Sequence, residues 1–365
     1  IAAVAEHRPD AVGLSALLVT TSREMGVCVR EFARRGITVP VLIGGAAVSG
    51  AFAARIAKLE DGTSYKGNVY YCRDAFEAAK VVERTKQGTS LPVNPEAKNA
   101  LSNTVAGTRD APPMLDHGEY REPPFYGTGA VLRWESGSLL DKITPSRLFK
   151  AWWGGGRLTK KAYAEAEAQD FIPALEKLRA IITDSFLLDP AALYGFFPTI
   201  TDGEQVILLD PSDFHTELAS FVFPRMPKAG NRSIADYLRP EGDFLALQIV
   251  TIGPGLSIRA GEFFGAENSY SMGYYLNGIG GYLTEELAEL VTGEIVRGLR
   301  LPPATGRRYS FGYPGMPLLE EQKKLFEIMA IEERLGITLT ERFQMMPEHS
   351  TLGMYIRHPG AEYLA

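Results

Sequence analysis

The chain has 365 residues, of which 45% are hydrophobic and 22% are charged, a composition ordinary for a globular protein of two or three domains. The net charge of −6 argues against general nucleic-acid binding, and two cysteines without Cys-x-x-Cys spacing argue against a zinc site or a disulfide framework. No run of 18 apolar residues and no signal-peptide pattern occurs, which favours a protein of the reducing cytoplasm with no membrane partner.

Residues 1–86 alternate short apolar runs with helical patterns. The first six residues have the pattern of the middle of a helix, so we expect the chain to be a piece of a longer protein. Strands are predicted at 11–18, 39–43 and 69–71, and helices at 22–35, 51–59 and 74–84. This order predicts the later part of a doubly wound, Rossmann-like α/β domain, in which ligands bind beyond the carboxyl ends of the strands. The run at 45–50 lacks the middle glycine of a dinucleotide-binding motif, so a nucleotide is not the predicted ligand.

Residues 87–126 are polar and contain six prolines, which predicts a linker. Residues 127–365 carry strand and helix patterns that do not strictly alternate, which predicts an α+β domain. Helices are predicted from 144 to 153, 160–183, 260–297 and 318–335, and strands at 193–198, 206–209, 244–251, 339–346 and 351–357. The tyrosines at 270, 274 and 275 are expected in the core.

Residues 307–317 form a segment rich in arginine and aromatic residues, which we call the Arg/Tyr loop. Its glycines and prolines prevent a regular helix or strand. Arginine offers a fixed fork of donors to a carboxylate, and the aromatic rings offer flat faces for stacking. On composition alone, a plain surface loop between helices is an equally good interpretation.

The five histidines show no metal-ligand spacing. His215 follows an Asp-x-His pattern, but Leu218 stands where a corrinoid-binding loop would need glycine, so a structural role is predicted for this histidine. No Ser/His/Asp grouping and no phosphate-binding loop of the Walker type is present.

Several motifs, in order, give the chain a family resemblance. Gly-Leu-Ser-Ala-Leu at 13–17, Leu-Ile-Gly-Gly-Ala at 42–46 and Tyr-Cys-Arg-Asp-Ala at 71–75 resemble the later part of the cobalamin-binding domain of cobalamin-dependent methionine synthase. Gly-Phe-Phe-Pro at 195–198, Arg-x-x-x-Gly-Tyr-Pro at 308–314, Leu-Thr-Glu-x-Phe at 339–343 and His-Pro-x-x-x-Tyr at 358–363 resemble its reactivation domain, which binds S-adenosylmethionine. The resemblance covers nearly the whole chain and is weakest in the linker.

The resemblance implies a function in methionine biosynthesis. The complete enzyme is a methyltransferase that moves a methyl group from 5-methyltetrahydrofolate to homocysteine through cobalamin, whose metal is cobalt. The chain would hold part of the cobalamin platform and the module that remethylates cob(II)alamin with S-adenosylmethionine. An electron would come from a flavodoxin-like partner. The homocysteine, folate and cap domains would lie upstream, and zinc is expected only there; the chain alone is not expected to be active.

The resemblance also implies roles for particular residues. Four small residues would line the cavity for the cobalamin tail: Ser15, Gly44, Gly45 and Ala75. In the second domain, Arg308 would hold the carboxylate of S-adenosylmethionine, backbone around Tyr309 and Ser310 would meet the adenine, and Tyr363 and Glu285 would complete that site. Tyr313 would face the corrin as the catalytic contact, unless its ring is packed within its own domain.

The chain departs from the family pattern at Thr144, Pro302 and Leu319, where polar contacts of the reactivation domain are expected, and the Asp-x-His-x-x-Gly loop of the family does not occur in it. Each lost charge-assisted hydrogen bond would weaken the binding of S-adenosylmethionine by roughly 1.5–3 kcal/mol. Two alternatives therefore stay open. One is a non-catalytic module that caps the corrinoid without binding S-adenosylmethionine tightly, and the other is a corrinoid protein of another methyltransferase system.

Overall fold

A computed structural model gives the architecture of the chain. It describes residues 1–16, 19–45, 48, 50–59, 62–72, 75–86, 122–226, 230–240, 242–267, 269–303, 305–313, 315–316 and 318–364. The chain divides into two compact units, Ile1–Arg109 and Asp110–Ala365. Most of the predicted linker lies outside the described residues, so the boundaries proposed from the sequence stay predictions.

The first unit is built on three parallel strands in the order β1-β2-β3. Its elements are α1 (Ala2–His7), β1 (Val12–Ser15), α2 (Val19–Arg34), β2 (Val41–Gly44), α3 (Gly50–Ile56), β3 (Val69–Tyr71) and α4 (Ala75–Lys86). Alternate residues of β2 point to opposite faces, as a strand requires. Val41 and Ile43 pack in a core with α2 and α3, whereas Leu42 belongs to a smaller cluster against α4. Both faces of the sheet are therefore covered in the described part of this unit.

The second unit contains an antiparallel sheet with helices. Its strands are β4 (Gly127–Thr128), β5 (Leu132–Arg133), β6 (Ala191–Asp202), β7 (Gln205–Leu209), β8 (Glu217–Val222), β9 (Asp243–Thr251), β10 (Arg307–Tyr309), β11 (Thr338–Leu339), β12 (Met345–Met346) and β13 (Ser350–Ile356). Its helices are α5 (Ser136–Leu140), α6 (Pro145–Ala151), α7 (Lys160–Ala166), α8 (Ile172–Asp184), α9 (Gly255–Gly265), α10 (Tyr270–Gly298), α11 (Gln322–Ile328) and α12 (Ile331–Leu335). The main sheet has the order β10-β13-β9-β6-β7-β8, and β4 and β5 pair with β6. The chain is thus mixed α/β, as predicted.

The central strands of this sheet are buried on both faces. All nine residues of β9 are buried, and its register with β6 runs from Ala191 opposite Thr251 to Thr199 opposite Asp243. One face packs against α6, α8 and α10, and the other packs against α11, α12 and the C-terminal residues. Burial of apolar area on both faces stabilises the sheet that carries the site.

Two glycines of helix α10, Gly280 and Gly281, allow neighbouring rings to pack directly against its backbone. A side chain at Gly280 would overlap the ring of His349, and one at Gly281 would overlap the ring of Trp152. The tryptophan and histidine rings can therefore approach the helix backbone closely. This contact fixes α10, and with it Glu285, relative to the sheet.

Several predicted elements are divided in the structure. The predicted helix 160–183 is α7 and α8 joined by a π-helical stretch, Glu167–Phe171. The predicted helix 260–297 is α9 and α10, separated at a turn where the Ser269 hydroxyl donates to the Phe263 carbonyl at 2.8 Å. The predicted helix 318–335 is α11 and α12, separated where Ala330 adopts φ 50°. Because helical periodicity continues across such short breaks, the sequence pattern does not show them.

Two further predictions were wrong. The single strand predicted at 339–346 is the hairpin β11–β12, in which Thr338 lies opposite Met346. Thr340 closes its turn, since its hydroxyl accepts hydrogen bonds from the backbone N–H of Gln344 at 3.1 Å and of Arg342 at 3.3 Å. Tyr270 and Tyr274 are exposed rather than in the core, because they lie on the outer face of α10 near its start.

Candidate functional site

A cavity of about 380 Å³ in the second unit brings together residues that are distant in the sequence. Six of the residues in its wall were singled out from the sequence: Glu285, Arg308, Tyr309, Ser310, Tyr313 and Tyr363. The remainder of the wall is made by Gly315, Met316, Thr351 and Leu364. The cavity has one charged end and one aromatic end.

Arg308 lies on the short edge strand β10. Its backbone pairs with β13, where it is opposite Tyr355. A Cβ added at Gly353 would lie 2.8 Å from Arg308 Cγ, so the glycine gives room for the arginine stem to cross the sheet. The Arg308 side chain is only 10% exposed. Strand pairing and burial together restrict the directions in which the guanidinium can point.

The charged end of the cavity is an ion pair. Arg308 Nη2 donates to Glu285 Oε2 at 2.5 Å, and Glu285 comes from α10. Arg308 Nη1 has two longer contacts, 3.4 Å to the Ser310 hydroxyl and 3.5 Å to the Thr351 hydroxyl. A cation and an anion therefore stand side by side, with hydroxyl groups around the cation.

The prediction that the Arg/Tyr loop contains no regular strand was wrong for its first three residues, which pair with β13 as β10 because the glycines and prolines begin only at Gly312. The loop turns sharply after β10. Gly312 has φ 91°, a left-handed conformation that glycine adopts without strain. Its N–H donates to the Met316 carbonyl at 2.7 Å, and the Met316 N–H donates to the Tyr313 carbonyl at 2.8 Å. The turn leaves Tyr313 67% exposed at the cavity. The alternative in which Tyr313 is packed within its own unit is therefore wrong. Pro314 and Pro317 lie outside the described residues.

The aromatic end is formed by Tyr309 and by residues 358–364, which we call the C-terminal tail. Tyr309 is 6% exposed, and its hydroxyl donates to the Glu362 carbonyl at 2.6 Å. The rings of Tyr309 and Tyr363 lie 5.9 Å apart at 67°, an edge-to-face contact. Burial raises the pKa of Tyr309 well above its usual range, so the hydroxyl keeps its proton and remains a donor.

Sequence reasoning missed Thr351 and Gly353. The two residues alternate along β13, so their side-chain positions share one face of the strand. That face becomes visible only when β13 is placed beside β10, because neither residue stands in a recognisable motif. The pairing register of two strands that are distant in sequence is the missing information.

The three departures from the family pattern are not in the wall of this cavity. Thr144 instead precedes α6, and its backbone N–H donates to the Tyr282 hydroxyl at 3.1 Å. Pro302 and Leu319 are likewise absent from the described lining residues. The expectation that these three positions remove polar contacts to S-adenosylmethionine stays a prediction.

The residues predicted to hold the cobalamin tail lie at the carboxyl edge of the first sheet. Ser15 ends β1 and is exposed, Gly44 ends β2, and Ala75 begins α4, although its side chain lies outside the described part. Gly45 has φ 107°, and a side chain there would overlap the Ala16 backbone. A Cβ at Gly44 would lie 2.9 Å from the Cys72 carbonyl oxygen. Close backbone packing is thus sufficient to explain both glycines.

Within the described ranges, the structure shows no group of three His, Cys, Asp or Glu side chains placed to hold a metal ion. In the same ranges, no helix combines the length and apolar character needed to cross a membrane.

Comparison with known proteins gives the family context. Residues 302–365 match the family model described as the activation domain of vitamin B12 dependent methionine synthase. The methionine synthases of Mycobacterium tuberculosis and Mycobacterium leprae are each 30% identical over 99% of this chain. The chain spans 35% of the length of those relatives.

A solved structure resembles part of the chain in fold. It is the MetH reactivation domain bound to AdoHcy, which is 21% identical, with a TM-score of 0.56, and the match covers 67% of this chain and 83% of that one. The resemblance to methionine synthase that the motifs indicate is therefore confirmed.

Proposed function

We propose that this chain is the C-terminal part of a cobalamin-dependent methionine synthase, and that its second unit binds S-adenosylmethionine in the cavity described above. The observation that carries the proposal is the convergence of Glu285, Arg308 and the tyrosines on one cavity. The match of residues 302–365 to the activation domain supports it.

The chemistry of the cavity suits this ligand. S-adenosylmethionine carries an α-carboxylate and an α-ammonium at one end and a flat adenine at the other. Arg308 is a donor for the carboxylate, and Glu285 beside it is an acceptor for the ammonium. On binding, the ligand carboxylate would pair with Arg308 and the ligand ammonium with Glu285, in place of the direct contact between the two side chains. The exposed ring of Tyr363 provides apolar surface for the adenosyl group, and backbone around Tyr309 and Ser310 would meet the adenine.

The task of these residues is to position a methyl donor. Holding the amino-acid end by the Arg308 fork and the adenosyl end against Tyr363 would restrict the orientation of the sulfonium methyl. Tyr313 lines the same cavity and is largely exposed. When bound, cobalamin supplies the cobalt that accepts the methyl group. Tyr313 would contact the corrin there.

The first unit would contribute to the cobalamin platform. The edge of its sheet fits a bulky ligand tail in one respect, because Gly44 and Gly45 place no side chain over the strand ends and Ser15 adds only a small hydroxyl. Ser15, Gly44, Gly45 and Ala75 would hold the tail, with the remaining contacts supplied from upstream domains.

The activity of the whole enzyme is part of the proposal. It is methyl transfer from 5-methyltetrahydrofolate to homocysteine, with zinc confined to upstream domains and a flavodoxin-like protein as electron donor. The chain alone would support remethylation rather than the complete reaction. The chain matches only 35% of the length of two methionine synthases, which supports a partial role for it in the complete reaction.

Calorimetric titration of S-adenosylmethionine into the full chain tests the proposal. We expect saturable binding to the chain. In Arg308→Ala the binding free energy should weaken by about 1.5–3 kcal/mol, because a charge-assisted hydrogen bond to the carboxylate is removed. The matched control is Arg147→Ala, whose guanidinium pairs at 2.7 Å with Glu286, the neighbour of Glu285, outside the cavity. Equal affinities of the chain and Arg308→Ala would remove Arg308 from the site. Absence of binding in the chain would favour a corrinoid-capping module.

A further inference from the structure

The C-terminal tail forms a wall of the cavity, although it has no strand pairing of its own. It follows β13 and contributes Tyr363 and Leu364 to the lining. Two of its hydrogen bonds are internal: the Gly360 N–H donates to His358 Nδ1 at 3.0 Å, and the Ala361 N–H donates to the His358 carbonyl at 3.0 Å. These bonds shape the tail but do not attach it to the Arg/Tyr loop.

Ala361 and Leu364 of the tail are buried in the same core as Tyr309, and one hydroxyl adds a hydrogen bond between the tail and the Arg/Tyr loop. Tyr309 donates to the Glu362 carbonyl at 2.6 Å, a length typical of a strong O–H···O bond. The Tyr309 backbone is itself fixed, because it pairs with Met354 of β13. The bond therefore joins a rigid strand to the residue directly before Tyr363. Because the donor is buried, water is a poor replacement for it.

From this geometry we infer that Tyr309 is a positioning residue, whose hydroxyl holds the tail so that Tyr363 forms the wall of the binding cavity. This inference rests on the proposed function for the identity of the ligand, but not for the tether itself. It assigns to the Tyr309 side chain a role beyond the backbone contact expected from the resemblance. Loss of the hydroxyl would leave the Tyr309 ring and the packing of Ala361 and Leu364 in place, and it would loosen the backbone at Glu362 and Tyr363.

The test uses Tyr309→Phe, Tyr363→Ala and the double variant in the full chain. The matched control is Tyr355→Phe, because Tyr355 is also buried and its hydroxyl also donates to a backbone carbonyl, that of Thr305 at 2.5 Å. Tyr355 is not in the cavity wall described here. Both Tyr-to-Phe changes remove one buried hydroxyl, so an effect on stability alone would be similar in the two variants.

The first measurement is amide hydrogen exchange of residues 358–364 without ligand. We expect faster exchange in Tyr309→Phe and wild-type exchange in Tyr355→Phe. The second is the calorimetric affinity for S-adenosylmethionine. We expect Tyr309→Phe to weaken it about two- to tenfold, the range for one lost hydrogen bond. In the Tyr363→Ala background, Tyr309→Phe should add almost nothing, because its effect passes through Tyr363.

Unchanged exchange of the tail in Tyr309→Phe would overturn the inference, and so would additive effects in the double variant. If the chain binds no S-adenosylmethionine, the proposed ligand is wrong, and the exchange comparison alone decides whether the tether exists. Failure of the inference and failure of the proposed function are therefore separate results.

Discussion

The two units place their predicted ligand residues in different ways. In the first unit these residues follow parallel strands, and the topology of the sheet gathers their ends along one edge. In the second unit they come from an edge strand, the middle of a long helix and a tail, and only tertiary packing brings them together. A parallel sheet thus indicates where a site lies without showing what its residues do. In the antiparallel unit, motifs identified several of these residues, but only the folded structure shows that they share one cavity.

The glycines show this difference most clearly. Gly44 and Gly45 stand at an expected ligand edge, but the surrounding backbone already requires them. Gly353 stands in no motif, and it makes room for the arginine of the candidate site. A small residue in the first unit is therefore weak evidence for a ligand, whereas a small residue in the second unit supports one indirectly.

The largest expected effect tests the glycine of the first unit. Gly45→Val should destabilise that unit by on the order of 3 kcal/mol or more, because the side chain meets the Ala16 backbone and φ is 107°. Gly13→Ala is the control, since nothing lies within 4 Å of its added Cβ. Thermal unfolding measures both. A wild-type melting temperature in Gly45→Val would show that the site has the open space that a ligand tail needs.

Acid should lower the stability of the second unit through a buried histidine that the first unit lacks. Burial lowers the pKa of His349 in the second unit to about 4, whereas the histidine of the first unit, His7, is exposed. Between pH 6.5 and 4 the unfolded chain binds a proton at His349 that the folded chain excludes, so stability is full above pH 6.5 and falls as the pH decreases. The expected loss from this group is on the order of 3 kcal/mol by pH 4.

Denaturant unfolding as a function of pH measures this loss. His349→Leu should flatten the slope between pH 6.5 and 4. An unchanged slope in His349→Leu would assign the acid sensitivity to carboxylates elsewhere.

The sequence was sufficient for the strands of the first unit and for β6, β7, β9 and β13 of the second. It missed β4, β5 and β8, and it did not show that the Arg/Tyr loop begins with β10. It was not sufficient for the divided helices or for the β11–β12 hairpin, because hydrophobic periodicity is insensitive to a break of a few residues. For the site, the motifs identified Arg308, Tyr313 and Tyr363, which stand near glycine or proline. They did not identify Thr351, because its contact with Arg308 depends on strand register.

A smaller effect on affinity is expected when the forked guanidinium of Arg308 is replaced by an ammonium group. Arg308→Lys keeps the charge but loses the fork, so one of the contacts to Glu285, Ser310 or the ligand carboxylate must be given up. We expect S-adenosylmethionine to bind about fivefold more weakly than to the chain, and more tightly than to Arg308→Ala. The measurement is the same calorimetric titration. Binding to Arg308→Lys as tight as to the chain would show that charge alone is recognised.

The smallest expected effect on stability and affinity is that of Tyr313→Ala. Its ring is 67% exposed, so the melting temperature and S-adenosylmethionine affinity should stay nearly unchanged. We expect slower remethylation in the complete enzyme, because the proposed contact of Tyr313 with the corrin would be lost. Single-turnover formation of methylcobalamin with a chemical reductant measures this rate, with Tyr313→Phe as control. A normal rate in Tyr313→Ala would refute the corrin-facing role.

The tether between Tyr309 and Glu362 has a consequence for the order of biosynthesis. Glu285 and Arg308 leave the ribosome before Thr351, Tyr363 and Leu364, so the charged end of the cavity is translated first and its last wall comes later. A nascent chain that has already made α10 and the Arg/Tyr loop still lacks the wall that the tail contributes. A chain interrupted before residue 363 would therefore lack the contact between Tyr309 and Tyr363 and, with it, one end of the cavity.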